Sequence, residues 1–297
     1  MKPKVIVILG PTASGKSSLA VKLAQKFNGE IVSADSRQVY KGMDLGSAKI
    51  TKKEMKGIPH HLLDVASPKK RFTVFQYQKL AIKKIWETIK RGKVPFLVGG
   101  SALYLYSVID GWQFPKTKID LKLRKRLEKK DLQELFSILE KIDPQKAKNI
   151  DKKNKRRLIR AIEIAKTLGQ VPPLKKEPLF DCLLIGLQKK PAALEKAIRR
   201  RLRKRLRQGM VKEVFNLRRL GLSWKRIESF GLEYKWLAKF VQGEISRQKM
   251  VEQIEKDTKS LWRRQLTWFK KDKRIHWVKN QKQAENLIKN YLEESAK

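Results

Sequence analysis

The sequence predicts an α/β fold: a parallel sheet core of the P-loop NTPase type, with a helical insertion subdomain and a helical C-terminal region. Three observations lead there. The apolar, β-branched run Val5-Ile6-Val7-Ile8-Leu9 passes directly into the glycine-rich turn Gly10-Pro11-Thr12-Ala13-Ser14-Gly15-Lys16-Ser17. Further short apolar runs alternate with stretches of helical periodicity, the pattern of a parallel sheet covered on both faces. Between Asp120 and Leu168 such runs almost vanish and helical spacing takes over.

In chain order, Val5 to Leu9 is the first strand, and Ser18 to Phe27 follows as a helix with Leu19, Val21, Leu23, Ala24 and Phe27 at helical spacing. Glu30 to Ala34 is a second strand that stops at Asp35. Phe75 to Arg91 reads as a helix burying Leu80, Ile82, Ile85, Trp86 and Ile89, and Val94 to Val98 as a strand that stops at Gly99-Gly100. The helices after Asp120 are separated near Asp143-Pro144 and Asp151-Lys152-Lys153-Asn154, and Gly169 to Pro173 closes the insertion. Asp181 to Leu187 returns to the sheet. The remainder is mostly helical, with a last strand at Ile275 to Val278. The expected limits are 1–115 for the first part of the core, 116–178 for the insertion and 179–297 for the return to the core with the helical region.

Composition narrows the partners. The 297 residues carry 71 Lys plus Arg against 29 Asp plus Glu, a net charge of +42, and 41% are hydrophobic. That apolar content supports a sizeable core and excludes a disordered chain. The basic excess attracts polyanions, a nucleic acid before an anionic membrane. Cys182 is the single cysteine, which excludes an intramolecular disulfide and a Cys-rich zinc module. The Val5 to Leu9 run is too short for a signal-peptide core and no apolar run is long enough to span a bilayer, so a cytoplasmic protein without membrane contact is expected.

The turn from Gly10 to Ser17 satisfies G-x-x-x-x-G-K-[ST] between a strand and a helix. Its backbone N–H groups form an anion nest, the helix N-terminus adds its dipole, Lys16 supplies a point charge and Ser17 a hydroxyl for Mg²⁺. The loop alone leaves open whether the phosphates belong to ATP, GTP or another diphosphate. Asp35, at the C-terminal end of a strand beside this loop, falls in the ligand crevice of an α/β sheet; Asp35 or Ser36 as a helix N-cap is the plainer alternative. Glu195 to Arg207 holds eight cations and one acid, a wide basic helix surface for phosphates. Leu194, Ile198, Leu202 and Leu206, spaced by four, read as core. His60, His61 and His276 lack the spacing of a metal site, and Trp262 and Trp268 are expected to pack in the core.

With these residues in place, the chain resembles the tRNA dimethylallyltransferases, also called tRNA isopentenyltransferases. Beyond the P-loop, the resemblance rests on Asp35-Ser36-Arg37-Gln38-Val39-Tyr40-Lys41-Gly42-Met43-Asp44 with Leu45 to Lys49, on Pro59 to Asp64, on Val98 to Tyr104, on Arg157 to Glu163 and on Arg264-Gln265-Leu266-Thr267-Trp268-Phe269, in the family's order. It implies transfer of a dimethylallyl group from dimethylallyl diphosphate to N6 of the adenosine at tRNA position 37, next to the anticodon, with release of diphosphate. By the same resemblance Asp35 is the general base, Lys16, Ser17 and Mg²⁺ hold the leaving diphosphate, and the partner is the anticodon stem-loop of a tRNA bound by a monomer. Asp35, Ser36, Arg37, Gln38 and Ser101 would line the adenine channel. Arg124, Arg156, Arg157 and Arg160 would be further tRNA or diphosphate contacts, and Arg264 and Gln265 would grip the stem-loop. The segments Arg226 to Lys235 and Thr258 to Trp262 depart from the family's usual pattern.

Three other functions fit parts of the sequence. A small-molecule P-loop kinase leaves the charge of +42 without a use. An isopentenyltransferase for free adenine nucleotides has no need of the long basic C-terminal region. A nucleic-acid-binding protein without catalysis would not need Lys16, Ser17 and Asp35 together.

Overall fold

The structure is a computed structural model and describes residues 1–117 and 120–294. It divides into two compact units, Met1–Gly111 with Pro178–Lys297, and Trp112–Glu177. In the first unit β1 (Lys4–Leu9) runs through the glycine-rich turn into α1 (Lys16–Lys26); then come β2 (Gly29–Ala34), the short α2 (Lys52–Met55), β3 (His60–His61), α3 (Val74–Lys90), β4 (Val94–Gly99) and α4 (Ala102–Ile109). The second unit holds β5 (Trp112–Gln113), α5 (Leu121–Lys129), α6 (Leu132–Ile142), α7 (Pro144–Lys148), α8 (Lys155–Leu168) and β6 (Lys175–Lys176). The chain re-enters the first unit with β7 (Asp181–Leu187), α9 (Pro191–Arg207), α10 (Met210–Arg219), α11 (Trp224–Glu228), α12 (Leu232–Val241), α13 (Arg247–Lys270), β8 (His276–Val278) and α14 (Gln281–Glu293).

The first unit is built on a six-stranded sheet in the order β3-β2-β4-β1-β7-β8, parallel at every pairing. Its central strands are apolar at consecutive positions because both faces are covered. Ile6, Ile8, Ile31, Phe96 and Ile185 join Leu19 and Leu23 of α1 and Ile288 of α14 in one core. The alternate positions Val7, Val32 and Leu97 are buried on the other face, where α3 packs against β2 and β4. Tyr77 of α3 stacks on Tyr104 of α4 at 3.9 Å between ring centroids, and its hydroxyl donates to the Ser33 carbonyl. β1, β2, β4 and β7 therefore end side by side, and Gly10, Asp35 and Gly100 leave the sheet at the same edge.

The second unit has its own core of Leu123, Leu127, Leu135, Leu139, Leu158 and Ile162. Its helices start at side-chain caps: Asp120, Asp131, Asp143 and Asn154 each accept a backbone N–H from the first turn. Asp143 also accepts the Val171 N–H through its second oxygen, tying the exit of the unit to the α6–α7 junction.

The structure differs from sequence expectation in several places. α1 begins at Lys16 rather than Ser18 because the phosphate loop itself winds into the first turn. α4 and the β5–β6 pair were not anticipated: two-residue strands are too short to show a period. Leu206 is half-buried, one residue from the end of α9. On α13, Trp262 is buried as expected, whereas Trp268 is 47% exposed and is not a core residue. Among the described residues no helix is long and apolar enough to cross a membrane.

Candidate active site

The phosphate loop connects β1 to α1. α1 starts with no side-chain cap and no acidic residue in its first turn, so the N–H groups that caps satisfy elsewhere in the chain are left for an anion. The Lys16 ammonium donates to the Pro11 carbonyl at 3.3 Å. The loop is braced from outside by Gln265 of α13: its Oε1 accepts the Thr12 N–H at 2.8 Å, and its Nε2 donates to the Gly100 carbonyl at 2.7 Å. Gly100 has to be glycine for this to close, since a Cβ there would lie 2.7 Å from Gln265 Nε2 and 3.4 Å from Lys16 Nζ. Gln265, expected to grip RNA, uses both ends of its amide here to hold the loop.

Asp35 follows β2 and caps a turn, not a helix. Its Oδ1 accepts the N–H groups of Arg37 at 2.8 Å and Gln38 at 3.3 Å, an arrangement that fixes the carboxylate plane and leaves Oδ2 uncommitted by these bonds. The Ser36 N–H donates to Ser101 Oγ at 3.1 Å, and the Ser101 N–H to the Ala34 carbonyl. Gln38 donates to the carbonyls of Ser47 and Ala48. The segments after β2 and β4 are thereby locked to each other at the mouth of the sheet.

Two cavities meet here. The larger, about 670 Å³, is lined by Lys16, Asp35, Arg37, Ser101, Arg264 and Gln265 among others. The smaller, about 80 Å³, is lined by Ser17, Ser33, Gln38 and His60 and shares Thr12, Lys16, Asp35 and Arg201 with the first. Burial pulls Lys16 down to about 8; the Asp35 charge pushes it back up and the Arg201 charge pulls it further down. Arg201 is also lowered, by burial first and then by the neighbouring Arg205 charge. Two cations held in a cavity against each other and balanced there by Asp35 make a site that an anion of two or more charges would relieve.

Arg201 was read as part of a wide basic helix surface for phosphates. It instead faces inward from α9, next to the buried stripe Leu194, Ile198 and Leu202. Its position three residues after Ile198 was the available signal, because residues i and i+3 share a helix face. Arg205, one turn on, donates to the carbonyls of Leu45 and Gly46, both at 2.9 Å, and pairs with Glu233 at 3.1 Å. Glu213 of α10 holds the same loop by its other polarity, accepting the N–H groups of Asp44, Leu45 and Gly46 at 2.8, 2.6 and 2.9 Å and the Tyr234 hydroxyl at 2.7 Å. A Cβ on Gly46 would come within 2.4 Å of the Tyr234 ring. No local sequence pattern pointed to Glu213.

The remaining expected contacts lie in the second unit. Arg124 and Arg160 converge on Glu163, which is fully buried. Arg124 grips it through Nε at 2.9 Å and Nη2 at 2.7 Å, and Arg160 through Nη1. Burial pushes the Glu163 carboxyl up, but the hydrogen bonds from Arg124, Arg160 and the Asp120 N–H outweigh it and bring the group below its ordinary value. Two of the four arginines expected here as tRNA or diphosphate contacts, Arg124 and Arg160, are thus paired with a buried carboxylate inside the unit. Arg156 and Arg157 are exposed on α8.

Residues 38–272 match the IPP transferase family. The chain belongs to that family. A tRNA dimethylallyltransferase of Caldanaerobacter subterraneus subsp. tengcongensis is 38% identical over 99% of this chain and 98% of its own length, and tRNA dimethylallyltransferase 2 of Citrifermentans bemidjiense is 41% identical over 93% and 90%. Among solved structures, the full-length tRNA isopentenylpyrophosphate transferase of Bacillus halodurans superposes with a TM-score of 0.76 at 35% identity, covering 99% of this chain and 98% of that one. A eukaryotic dimethylallyltransferase acting on tRNA superposes with a TM-score of 0.75 at 26% identity, over 93% of this chain and 74% of its own. As a member of the IPP transferase family, the chain carries its phosphate loop and its Asp35 at the junction of the two cavities.

Proposed function

We propose that this chain transfers the dimethylallyl group of dimethylallyl diphosphate to N6 of the adenosine beside the anticodon of a tRNA, position 37, releasing diphosphate. The single observation that carries the reading is the convergence of Asp35, Lys16 and Arg201 on the seam between a small pocket at the phosphate loop and a larger cavity bordered by Arg37 and Arg264. One side suits a diphosphate and the other an extruded nucleotide.

The adenine amino group is a weak nucleophile because its lone pair is delocalised into the ring. As its nitrogen bonds to the allylic carbon, the carbon–oxygen bond to the diphosphate breaks, the electron pair leaves with the diphosphate, and the amino proton passes to Asp35. With Oδ1 held by the Arg37 and Gln38 N–H groups, Oδ2 is the oxygen that would accept it; a positioned base of this kind contributes about 10² to 10⁴-fold. On the other side, the uncapped α1 N-terminus, Lys16 and Arg201 bind the developing charge, and their fixed dipoles need no reorganisation as the bond breaks. Gln265 keeps the loop and Gly100 in register. The Ser17 hydroxyl on the small pocket is a hard oxygen donor that Mg²⁺ accepts alongside phosphate oxygens, so this residue fits that ion. When bound, Mg²⁺ would supply further charge neutralisation on the diphosphate. The charge of +42 supports capture of RNA, with affinity carried largely by phosphates and specificity by the cavity.

The test is diphosphate release from dimethylallyl diphosphate with and without an anticodon stem-loop. Release that requires the RNA supports the reading. Phosphate transfer from ATP in place of RNA-dependent release would sink it in favour of a P-loop kinase.

A further inference from the structure

A large aromatic side chain stands open at the larger cavity. Trp268 is 47% exposed and Leu103 is 50% exposed, and both line that cavity together with Arg37 and Arg264. The exposure is local, because Trp262 on the same helix is 6% exposed. The indole rests near the buried Tyr106, with 6.2 Å between centroids and a tilt of 35°, so one edge of it is backed by a core residue.

Single exposed apolar side chains are ordinary on protein surfaces. Two on one cavity, with two guanidiniums on the same lining, form a surface suited to a flat apolar ring that carries a phosphate. An adenine that reaches Asp35 must have left its stack, and the bases next to it then lose a stacking partner. Aromatic side chains commonly replace it in single-stranded RNA recognition, where every base offers a π-face.

We propose that Trp268, with Leu103 on the same cavity, is the stacking platform for the base of a nucleotide flanking the reactive adenosine, and that Arg37 and Arg264 meet the phosphates on either side of that base. This rests on the RNA-prenylation reading and adds to it the residue that holds the neighbouring base.

The experiment is a protein–RNA cycle. Wild type, Trp268→Ala, Trp268→Phe and Trp268→Leu are assayed on anticodon stem-loops that are intact or carry an abasic site on one flank or the other of the target adenosine. Trp268→Ala should raise KM for the intact stem-loop about tenfold, within the range of one base–aromatic stack, with kcat and KM for dimethylallyl diphosphate within about twofold. Trp268→Phe should restore most of the loss. One of the two abasic sites should raise KM for wild type by a similar factor and add nothing in Trp268→Ala. If Trp268→Ala fails to fold, the same cycle with Trp268→Leu, which keeps apolar packing on Tyr106 but lacks a flat face, decides. An unchanged KM in the variants, or abasic penalties that simply multiply with the substitution, would overturn the platform while leaving the prenylation reading intact. A wild type that prenylates no stem-loop would remove that reading and the platform with it.

Discussion

Glu213 offers the sharpest test of how the site is held. It comes from α10, yet its carboxylate accepts the backbone N–H groups of Asp44, Leu45 and Gly46 and the Tyr234 hydroxyl, far from it in sequence. Replacing it with alanine strands these donors. Those of Asp44 and Leu45 are only partly buried and can rehydrate, whereas the Gly46 N–H and the Tyr234 hydroxyl are buried. Each orphaned buried donor costs about 1–3 kcal/mol; relief of the carboxylate's own desolvation offsets part of that, leaving roughly 3 kcal/mol. For a chain of this size that corresponds to a drop in Tm of about 6 °C. Glu213→Gln should lose less, since its carbonyl oxygen still accepts while its amide group faces other N–H donors. Thermal unfolding by circular dichroism measures both. Because Ser47 and Ala48 border both cavities, loss of the anchor should also lower kcat/KM. A Glu213→Ala protein that melts within about 1 °C of wild type would refute this account of the loop.

Further outcomes follow from the charges. Lys16 loses its proton around pH 8, so affinity for inorganic pyrophosphate, read by calorimetry, should fall as pH rises through about 8, and Lys16→Met should flatten that dependence. Glu30 is held at about 2 by hydrogen bonds from Arg91, against burial that pushes it up, with His61 adding to the pull. Its stabilising contribution is full above the ordinary carboxylate value of 4.5 and is lost as pH falls through about 2; Arg91→Met should move the onset of acid unfolding to higher pH, measured by fluorescence. Arg156→Gln with Arg157→Gln, both at exposed positions on α8, should reduce the slope of log affinity for a tRNA stem-loop against log salt by about 1.5, measured by filter binding, and leave Tm unchanged.

The sheet was legible because its strands are apolar at consecutive positions: β7 spans Asp181–Leu187 as the sequence implies, and β1, β2 and β4 each differ by a residue. The phosphate loop was legible for the same local reason, a fixed spacing between a strand and a helix. What escaped was contact at long range. Glu213 meets residues 167 to 169 positions away, and nothing in its neighbourhood distinguishes it from an acid on a solvated helix. The run Glu195 to Arg207 was legible as basic, but charge alone does not say which turn faces inward; burial of Leu194, Ile198 and Leu202 decides that Arg201 lines the site. Trp268 was misjudged as core because hydrophobicity sets a cost for exposure and not a prohibition.

The most direct measurement is mass spectrometry of nucleosides from an unmodified anticodon stem-loop incubated with the protein, Mg²⁺ and dimethylallyl diphosphate, with Asp35→Asn run beside it. Wild type should add five carbons to one adenosine, Asp35→Asn should lose about 10² to 10⁴-fold in that rate, and the variant should retain RNA binding. No alkylated adenosine with wild type, or an undiminished rate with Asp35→Asn, would contradict this mechanism.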